Sequence, residues 1–295
     1  MKTYIECIPC LLRQTSDALG MSDINDSIRQ NVMRNVLKEI AEMQFDVPPP
    51  YLSGRVHRLI RELTGIKDPY ALVKKKATGS ALGMVESVSE VILESVDPFE
   101  AAVRFSIAGN ILDFGAFTRI DDEKIERTVK NALSQDMDTK CLREFKAKAL
   151  SAKSILFIGD NAGETVFDSL LIKRLPAKAV RYAVKSGPVI NDATMEDALA
   201  AGIDKSAGII ETGSDMPGTV LEDCSPDFLR IFDESDIVIA KGQANYETLE
   251  GCSREVFHLM QVKCQVIARD TGLPAGTWIA AKNKDLQVSL RKARG

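Results

Sequence analysis

Through roughly the first 150 residues, apolar residues recur every three or four positions, a spacing that predicts a succession of amphipathic helices. One such stripe follows an Asn or Asp N-cap and consists of Ile28, Val32, Val36 and Ile40. Prolines at 48–50 interrupt the periodicity, and the helix after them is predicted to end at Gly65, because glycine favours helix C-caps. The pairs Asp68-Pro69 and Asp97-Pro98 are each expected to open a further helix.

Beyond about residue 150, short apolar runs alternate with helical segments such as Glu164–Arg174 and Thr194–Ala201. The predicted strands are Ser154–Ile158, Val180–Val184, Gly208–Ile210 and Asp236–Ala240, with Phe257–Val262 as a further candidate. Strands separated by helices imply right-handed crossovers and a largely parallel sheet. We therefore predict an α/β fold, with a helical domain over 1–150 and an α/β domain over 151–295.

Composition and charge narrow the possible functions. The chain has 295 residues and a net charge of −4, so no broad basic surface is available for nucleic acid. Its apolar runs are too short to cross a membrane, and its N-terminus lacks the apolar core of a signal peptide. We expect a cytoplasmic protein that binds neither nucleic acid nor membrane; homo-oligomer formation stays open. The run Lys74-Lys75-Lys76 is expected on a solvated helix face.

The metal-binding residue types point to a hard ion. His57 and His258 are the only histidines and are far apart in sequence, which disfavours a histidine-rich zinc centre. Any catalytic metal should then be held by oxygen ligands. The six cysteines are dispersed apart from Cys7-x-x-Cys10. That pair is either inert or half of a metal or redox site that distant residues complete.

Polar, glycine-containing segments follow four of the predicted strands. They are 159–164, 185–192, 211–218 and 241–247. In an open parallel sheet, ligands bind beyond the carboxyl ends of the strands, so these four loops are expected to form one site.

The charges in these loops suit a metal ion and a phosphate group. Asp160, Asn161 and Asp192 offer two carboxylates and an amide oxygen, which are suitable ligands for Mg²⁺ or Mn²⁺. Lys185 and Lys241 supply the opposite charge. A helix that begins near Ala162 would also direct free backbone N–H groups at an anion. The combination suits a phosphoryl group, whose oxygen the metal would polarise.

Several of these residues also have purely structural interpretations. Asn161 and Glu164 have the spacing of a capping box, and this interpretation of Glu164 stands beside a role in the site. For Thr194 and Asp197, at the same spacing, the capping box is favoured. Asp215 has both a capping or turn role and a site role open to it.

The residue spacing after the first strand excludes a dinucleotide-binding loop and a HAD-type phosphatase site. Gly159 and Gly163 do not fit the G-x-G-x-x-G loop of a dinucleotide fold. The Asp-Asn-Ala sequence at 160–162 lacks the Asp-x-Asp nucleophile motif of HAD-type phosphatases.

Taken in order, the blocks GDNAGETVFD, PVINDAT, ETGSDMPGT and KGQANYETL resemble the DUF89 family of metal-dependent damage-control phosphatases. The upstream block AGNILDFG at 108–115 matches as well, and Cys7-x-x-Cys10 resembles subfamily I of that family. The resemblance covers nearly the whole chain. It implies a helical N-terminal part before a Rossmann-like α/β/α sandwich, and hydrolysis of phosphate monoesters such as sugar phosphates and damaged or side-product metabolites.

The resemblance also implies roles for individual residues. It assigns the metal to Asp160, Asn161 and Asp192, and it places Lys241 near the phosphate. Asn110 and Asp113 would approach the site from the helical part, although a structural bond to a neighbouring helix is an equal alternative for them. Ala244 stands where many relatives have glycine. The full set of expected phosphate- or substrate-binding residues is Asn110, Asp113, Gly163, Glu164, Lys185, Gly213, Ser214, Lys241 and Asn245.

The working hypothesis is a single-metal phosphohydrolase that uses Mg²⁺, Mn²⁺, Co²⁺ or Ni²⁺ and a metal-activated water. Asp160, Asp192 and Lys241 are the candidate catalytic residues, and either aspartate is open to a role as nucleophile or base. Two rivals remain: a protein that binds a nucleotide or phosphorylated metabolite without hydrolysing it, and a Rossmann-like methyltransferase.

Overall fold

The computed structural model describes residues 1–109, 130–175 and 179–286. Asn110 and Asp113 lie outside these residues. The helices of the first half are α1 (Ile8–Gly20), α2 (Asp26–Ala41), α3 (Pro49–Thr64), α4 (Ala71–Leu82), α5 (Val85–Glu94), α6 (Pro98–Gly109) and α7 (Thr139–Ser151). Among the described residues, the helices lack the length and apolar character that a bilayer crossing requires.

The helix ends follow the sequence signals with one exception. The Asn25 side chain caps α2 by accepting from the Ile28 N–H at 2.9 Å, and Gly65 ends α3 in the left-handed conformation at φ 70°. Pro98 is the first residue of α6, as predicted. Pro69, by contrast, precedes α4, which begins two residues later at Ala71.

The second half forms a six-stranded sheet. Its strands are β1 (Ser154–Ile158), β2 (Ala179–Val184), β3 (Gly208–Glu211), β4 (Ile237–Lys241), β5 (Val256–Gln261) and β6 (Trp278–Lys282). The helices between them are α8 (Thr165–Ile172), α9 (Met195–Ala200), α10 (Pro226–Glu234), α11 (Gly242–Leu249) and α12 (Gln265–Thr271). All five predicted strands are confirmed within one or two residues at each end. The antiparallel strand β6 was not predicted.

The strand order is β3-β2-β1-β4-β5-β6, and β1 to β5 are parallel. The chain moves from β1 outward to β3 and then returns to place β4 on the other side of β1. At this reversal the loops after β1 and β4 diverge to opposite faces of the sheet, and a crevice opens between them. The predicted mostly parallel α/β fold is therefore confirmed, and the reversal places a crevice beside the loop 159–164.

Buried side chains from both halves of the chain share the largest cluster of the core. The largest buried cluster contains side chains of α5 and α6, such as Val88 and Phe105, together with Phe157 of β1 and Phe257 of β5. The helices α1 to α3 instead share a separate small cluster with Tyr70. Helices α5 to α7 thus pack as part of the sheet's own core, whereas α1 to α3 form a distinct unit.

Candidate functional site

The loop after β1 is fixed to the loop after β2 by backbone hydrogen bonds. The Ala193 N–H donates to the Asp160 carbonyl at 2.7 Å, and the Ala162 N–H donates to the Asn191 carbonyl at 2.9 Å. Asn161 and Asp192 consequently form an isolated antiparallel bridge. This pairing brings together three side chains that are up to 32 positions apart in sequence: Asp160, Asn161 and Asp192.

Gly159 permits the close approach on which this arrangement depends. A Cβ atom at this position would lie 2.6 Å from the Tyr182 hydroxyl on the neighbouring strand. Any side chain at residue 159 would therefore displace either the Tyr182 ring, whose hydroxyl is bonded to Asp168, or the loop that carries Asp160.

The three predicted ligands form a compact group with an unsatisfied oxygen. Asp160 and Asp192 are buried, and Asn161 is half-buried with its Nδ2 donating to Asp160 Oδ2 at 3.2 Å. Asp192 Oδ2 is buried without a hydrogen bond from any described residue, and Lys185 Nζ lies 3.7 Å away. A buried carboxylate oxygen without a donor is costly unless a cation completes it. The group thus fits a hard divalent ion.

Burial raises the pKa of Asp192 to about 7, although the Lys185 ammonium acts in the opposite direction. Within the described ranges, no group of three or more His, Cys, Asp or Glu side chains is arranged as a metal site. The predicted ligand set differs from such groups, because it combines two carboxylates with the amide of Asn161.

These residues form the floor of a cavity of about 470 Å³. One wall comes from α1 and α3, including Leu11 and Pro50, and the other from α11 and the segment before α12, including Gln243. Gln14 of α1 and Ser53 of α3 connect these two helices at this wall, where the Ser53 hydroxyl donates to Gln14 Oε1 at 2.7 Å. The cavity is the size of a small-molecule site and opens at the reversal of the sheet.

A second polar group lies directly behind the floor and is centred on Lys241. This lysine is fully buried, and its Nζ donates to the Ser106 carbonyl at 2.8 Å and to Asp168 Oδ1 at 2.8 Å. Its third partner is Glu164 Oε2 at 3.2 Å. Burial opposes the charge of Lys241, but Asp168 and Glu164 raise its pKa above the ordinary value. The lysine is thus held as a cation between two buried carboxyl groups.

Asp168 accepts from three side chains in this second group. Besides Lys241, it accepts from the Ser106 hydroxyl at 2.6 Å and from the Tyr182 hydroxyl at 2.8 Å. Sequence reasoning did not single it out. The available signal was the one charged residue within the otherwise uncharged helical stretch 165–172, where all eight side chains are buried.

Glu164 does not form the capping box that its spacing from Asn161 suggested, because Glu164 is itself the N-cap of α8. Its Oε1 accepts from the Asn161 N–H at 2.7 Å, while its Oε2 faces Lys241, and a direct role in the site stays a prediction. Burial raises the pKa of Glu164 to about 8, against the influence of the Lys241 ammonium. Glu164 therefore connects the loop that carries Asp160 and Asn161 to the buried lysine. The helix after this loop begins at Thr165, later than the predicted start near Ala162.

Several predicted phosphate-binding residues do not line the cavity in this structure. They are Gly163, Glu164, Lys185, Gly213, Ser214, Lys241 and Asn245. The Gly213 N–H donates to Ser186 Oγ at 2.7 Å, so it is not free to bind an anion. Asn245 is likewise occupied, because its Nδ2 donates to the carbonyls of Gly159 at 3.1 Å and Lys241 at 2.7 Å. The structure gives these residues supporting positions, and their direct contact with a phosphate stays a prediction.

Lys185 supports the floor from the side of β2. Its Nζ donates to the Gly218 carbonyl and lies opposite Asp192. The side chain is 2% exposed, so it orients the Asp192 carboxylate from within the protein.

Direct contacts are observed for Thr194, Asp197 and Asp215. Thr194 and Asp197 form the expected capping box of α9. Asp215 forms ion pairs with Arg58 and Arg61 of α3, which tie the helical part to the loop after β3.

The expectation of a solvated face for the Lys74 run is wrong for its first member. Lys74 is buried, and its Nζ bonds to Asp197 at 2.8 Å and to Asp68 at 2.9 Å. The physical reason is that α4 packs against α9, which buries the Lys74 ammonium. Asp197 of α9 and Asp68, which precedes α4, compensate its charge.

Comparison with known proteins agrees with the resemblance seen in the sequence. The family model for the damage-control phosphatase ARMT1-like domain matches residues 3–278. Damage-control phosphatase PH1575 of Pyrococcus horikoshii is 32% identical over 96% of this chain and 99% of its own length. A damage-control phosphatase of Archaeoglobus fulgidus is 33% identical over 95% and 99% of the two chains. The crystal structure of the DUF89 family protein of P. horikoshii superposes with a TM-score of 0.85 at 31% identity, covering 96% of this chain and 99% of that chain.

Proposed function

Because the chain belongs to the family of damage-control phosphatase ARMT1-like domains, we propose that it is a metal-dependent phosphatase of small phosphate monoesters. The substrates proposed are sugar phosphates and damaged or side-product phosphometabolites. The observation that carries the proposal is the buried Asp192 Oδ2, which has no hydrogen-bond donor among the described residues and belongs to a residue that lines the cavity.

Asp160, Asn161 and Asp192 would hold the divalent ion, because they supply oxygen atoms only and meet at one edge of the cavity. When bound, Mg²⁺, Mn²⁺, Co²⁺ or Ni²⁺ polarises a phosphate oxygen, offsets developing negative charge and lowers the pKa of a water.

The protein's own residues keep this edge rigid. Lys185 fixes the Asp192 carboxylate, and Glu164 holds the Asn161 backbone through its 2.7 Å hydrogen bond. Lys241 fixes Glu164 in turn. Preorganised groups of this kind do not have to rearrange as charge develops on the phosphate, which is the usual source of electrostatic catalysis. The walls formed by α1, α3 and α11 would enclose the leaving group.

The direct test is phosphate release from a panel of sugar phosphates in the presence of each of the four metals. We expect activity that disappears in excess chelator and in the variants Asp160→Ala and Asp192→Ala. Glu196→Ala is the control, since Glu196 is an exposed carboxylate close to Asp192 in sequence that does not line the cavity. Full activity of either site variant, or full activity in chelator, would overturn the proposal.

The same panel addresses the first rival function. A protein that only binds phosphorylated metabolites would show metal-dependent ligand binding, measured by calorimetry, without phosphate release. A methyltransferase would be stabilised by S-adenosylmethionine in the absence of divalent metal.

A further inference from the structure

Three of the six free cysteine thiols line the cavity. Cys7, Cys10 and Cys264 line it together with Asp160 and Asp192. The other three cysteines are also unpaired but do not line the cavity; they are Cys141, Cys224 and Cys252. The proposed function uses none of these thiols.

Cys7 and Cys10 have a backbone geometry that suits a disulfide. Cys7 is the N-cap of α1 with helical angles of φ −79° and ψ −23°, and Cys10 is the third residue of the helix. Helix geometry places Cα atoms three residues apart at about 5 Å. A disulfide requires Cα atoms about 4.4–6.8 Å apart. Pro9 lies between them in the first turn, where proline is compatible with the helix. The pair can therefore close without unwinding α1.

The two thiols differ in accessibility. Cys10 is exposed at the mouth of the cavity, whereas Cys7 is half-buried. Burial raises the pKa of the Cys7 thiol; the Tyr4 backbone acts against this, and the Glu247 carboxylate adds to it. A small molecule from solvent thus meets Cys10 first, and Cys7 is available as the neighbour that reacts second.

Any group attached to Cys10 would lie in the space that the substrate requires. The cavity of about 470 Å³ is shared by Cys10 and the metal-binding floor. A tripeptide such as glutathione is comparable with a drug-sized ligand and would fill much of a site of this size. An intramolecular disulfide, in contrast, adds no atoms.

We propose that Cys10 is a modification site for small-molecule disulfides of the glutathione type, and that Cys7 resolves the adduct. The Cys10 thiolate attacks one sulfur of oxidised glutathione, the S–S bond breaks, and one glutathione leaves as a thiolate that takes up a proton. The Cys7 thiolate then attacks the Cys10 sulfur, and the second glutathione leaves in the same way. Two protein thiols are oxidised to one disulfide, and one glutathione disulfide is reduced to two thiols.

This chemistry has a consequence for activity that rests on the proposed phosphatase function. The adduct on Cys10 blocks the cavity, whereas the Cys7–Cys10 disulfide leaves it open. Cys7 therefore preserves access to the metal-binding floor under oxidising conditions.

The test uses the full chain as wild type, Cys7→Ser, Cys10→Ser, Cys264→Ser and the control Cys252→Ser, each treated with oxidised glutathione. Cys252 is half-buried and lies outside the cavity. Intact mass and peptide mapping identify the products, and phosphatase activity is compared with the same variant in its reduced state.

We expect the wild type, Cys264→Ser and Cys252→Ser to lose two hydrogens and form the Cys7–Cys10 disulfide with activity retained. Cys7→Ser should gain one glutathionyl group on Cys10 and lose activity in proportion to the modified fraction, with recovery in dithiothreitol. Cys10→Ser should gain no glutathionyl group on Cys7. Wild-type protein with Cys7 and Cys10 still free, a stable adduct on wild-type Cys10, or a Cys7–Cys264 disulfide would overturn the proposal. The mass readout stands even if no phosphatase activity is found, so failure of the two proposals can be told apart.

Discussion

Two layers of buried carboxyl groups lie next to each other at the carboxyl end of β1, and they differ in how completely they are bonded. In the cavity floor, Asp192 Oδ2 is buried without a hydrogen bond from the described residues. Behind the floor, Asp168 accepts from Lys241, Ser106 and Tyr182. Removing one partner of a fully bonded buried carboxylate is costly, whereas an incompletely bonded carboxylate has an oxygen atom left for a ligand. The comparison therefore predicts which residues bind a ligand and which residues position them.

The largest effect on the unfolding free energy is expected from a change in the layer behind the floor. Asp168→Asn removes the principal partner of a fully buried lysine, and breaking a buried ion pair costs about 3–5 kcal/mol of unfolding free energy. Urea denaturation of the metal-free protein measures the loss. The double variant Asp168→Asn with Lys241→Met should lose less than the sum of the two single variants, because it no longer leaves a charge unpaired. Additive effects would show that the two residues do not act as a pair.

In the floor, the corresponding change should affect activity more than stability. Asp192→Asn keeps the size of the side chain but removes a charged oxygen ligand, so we expect phosphate release to fall about 100-fold, equivalent to about 2.7 kcal/mol of activation free energy. Its unfolding free energy without metal should fall less than that of Asp168→Asn. The opposite ranking, with activity preserved and stability lost, would place Asp192 in the structural layer.

A third test asks whether an unbonded buried atom is sufficient to mark a ligand site. Both ring nitrogens of His258 are buried without hydrogen bonds from the described residues, yet His258 does not line the cavity. Burial lowers the pKa of His258 to about 3 and that of His57 to about 4. The unfolded chain therefore binds protons below about pH 6.5 that the folded protein excludes, and stability falls by about 1.4 kcal/mol per pH unit for each histidine.

His258→Phe should remove one of these two contributions, or about 2 kcal/mol of the loss between pH 7 and pH 5. Urea unfolding of wild type and variant at the two pH values gives the difference. An identical pH dependence in both proteins would mean that His258 is protonated in the folded state. Unchanged phosphatase activity at pH 7 is also expected, which would confine the ligand site to the cavity.

The smallest effect is expected where paired charges are solvated. The Arg58 and Asp215 side chains are 41% and 23% exposed, and pairs of this kind contribute about 0–1 kcal/mol. Arg58→Gln should therefore change the unfolding free energy by no more than about 1 kcal/mol in low salt and by less in high salt. A loss as large as that of Asp168→Asn would remove the distinction between buried and exposed pairs.

Local sequence signals indicated the residues of the floor and, behind it, Glu164 and Lys241, but they indicated neither Asp168 nor the contacts that join this second layer. Asp160 and Asn161 directly follow an apolar run, and the order of strands in a parallel sheet brings Asp192 to the same edge. Asp168 lies on a helix, and its role depends on Tyr182 and Lys241, which come from other elements. No local pattern encodes such a set of contacts. Lys241 was placed in a loop for the same reason, although it is the last residue of β4.

The strand β6 was missed because it needs a neighbour to be recognised. Its apolar run begins at Trp278 and is short, and it pairs antiparallel with β5 at the edge of a sheet that is otherwise parallel. The contribution of Cys7, Cys10 and Cys264 to one cavity was also beyond sequence reasoning, since more than 250 residues separate the first two from the third.

The separate packing of α1 to α3 has an evolutionary consequence. These helices share their own small core, which includes Val32, Val56 and Ile60, while the loops of the cavity floor follow strands of the sheet. Leu11 and Pro50 line the wall but do not belong to the core beneath the floor. Under the proposed function, descendants of one ancestral protein would acquire new substrate preferences by changing these helices, while keeping the residues of the floor.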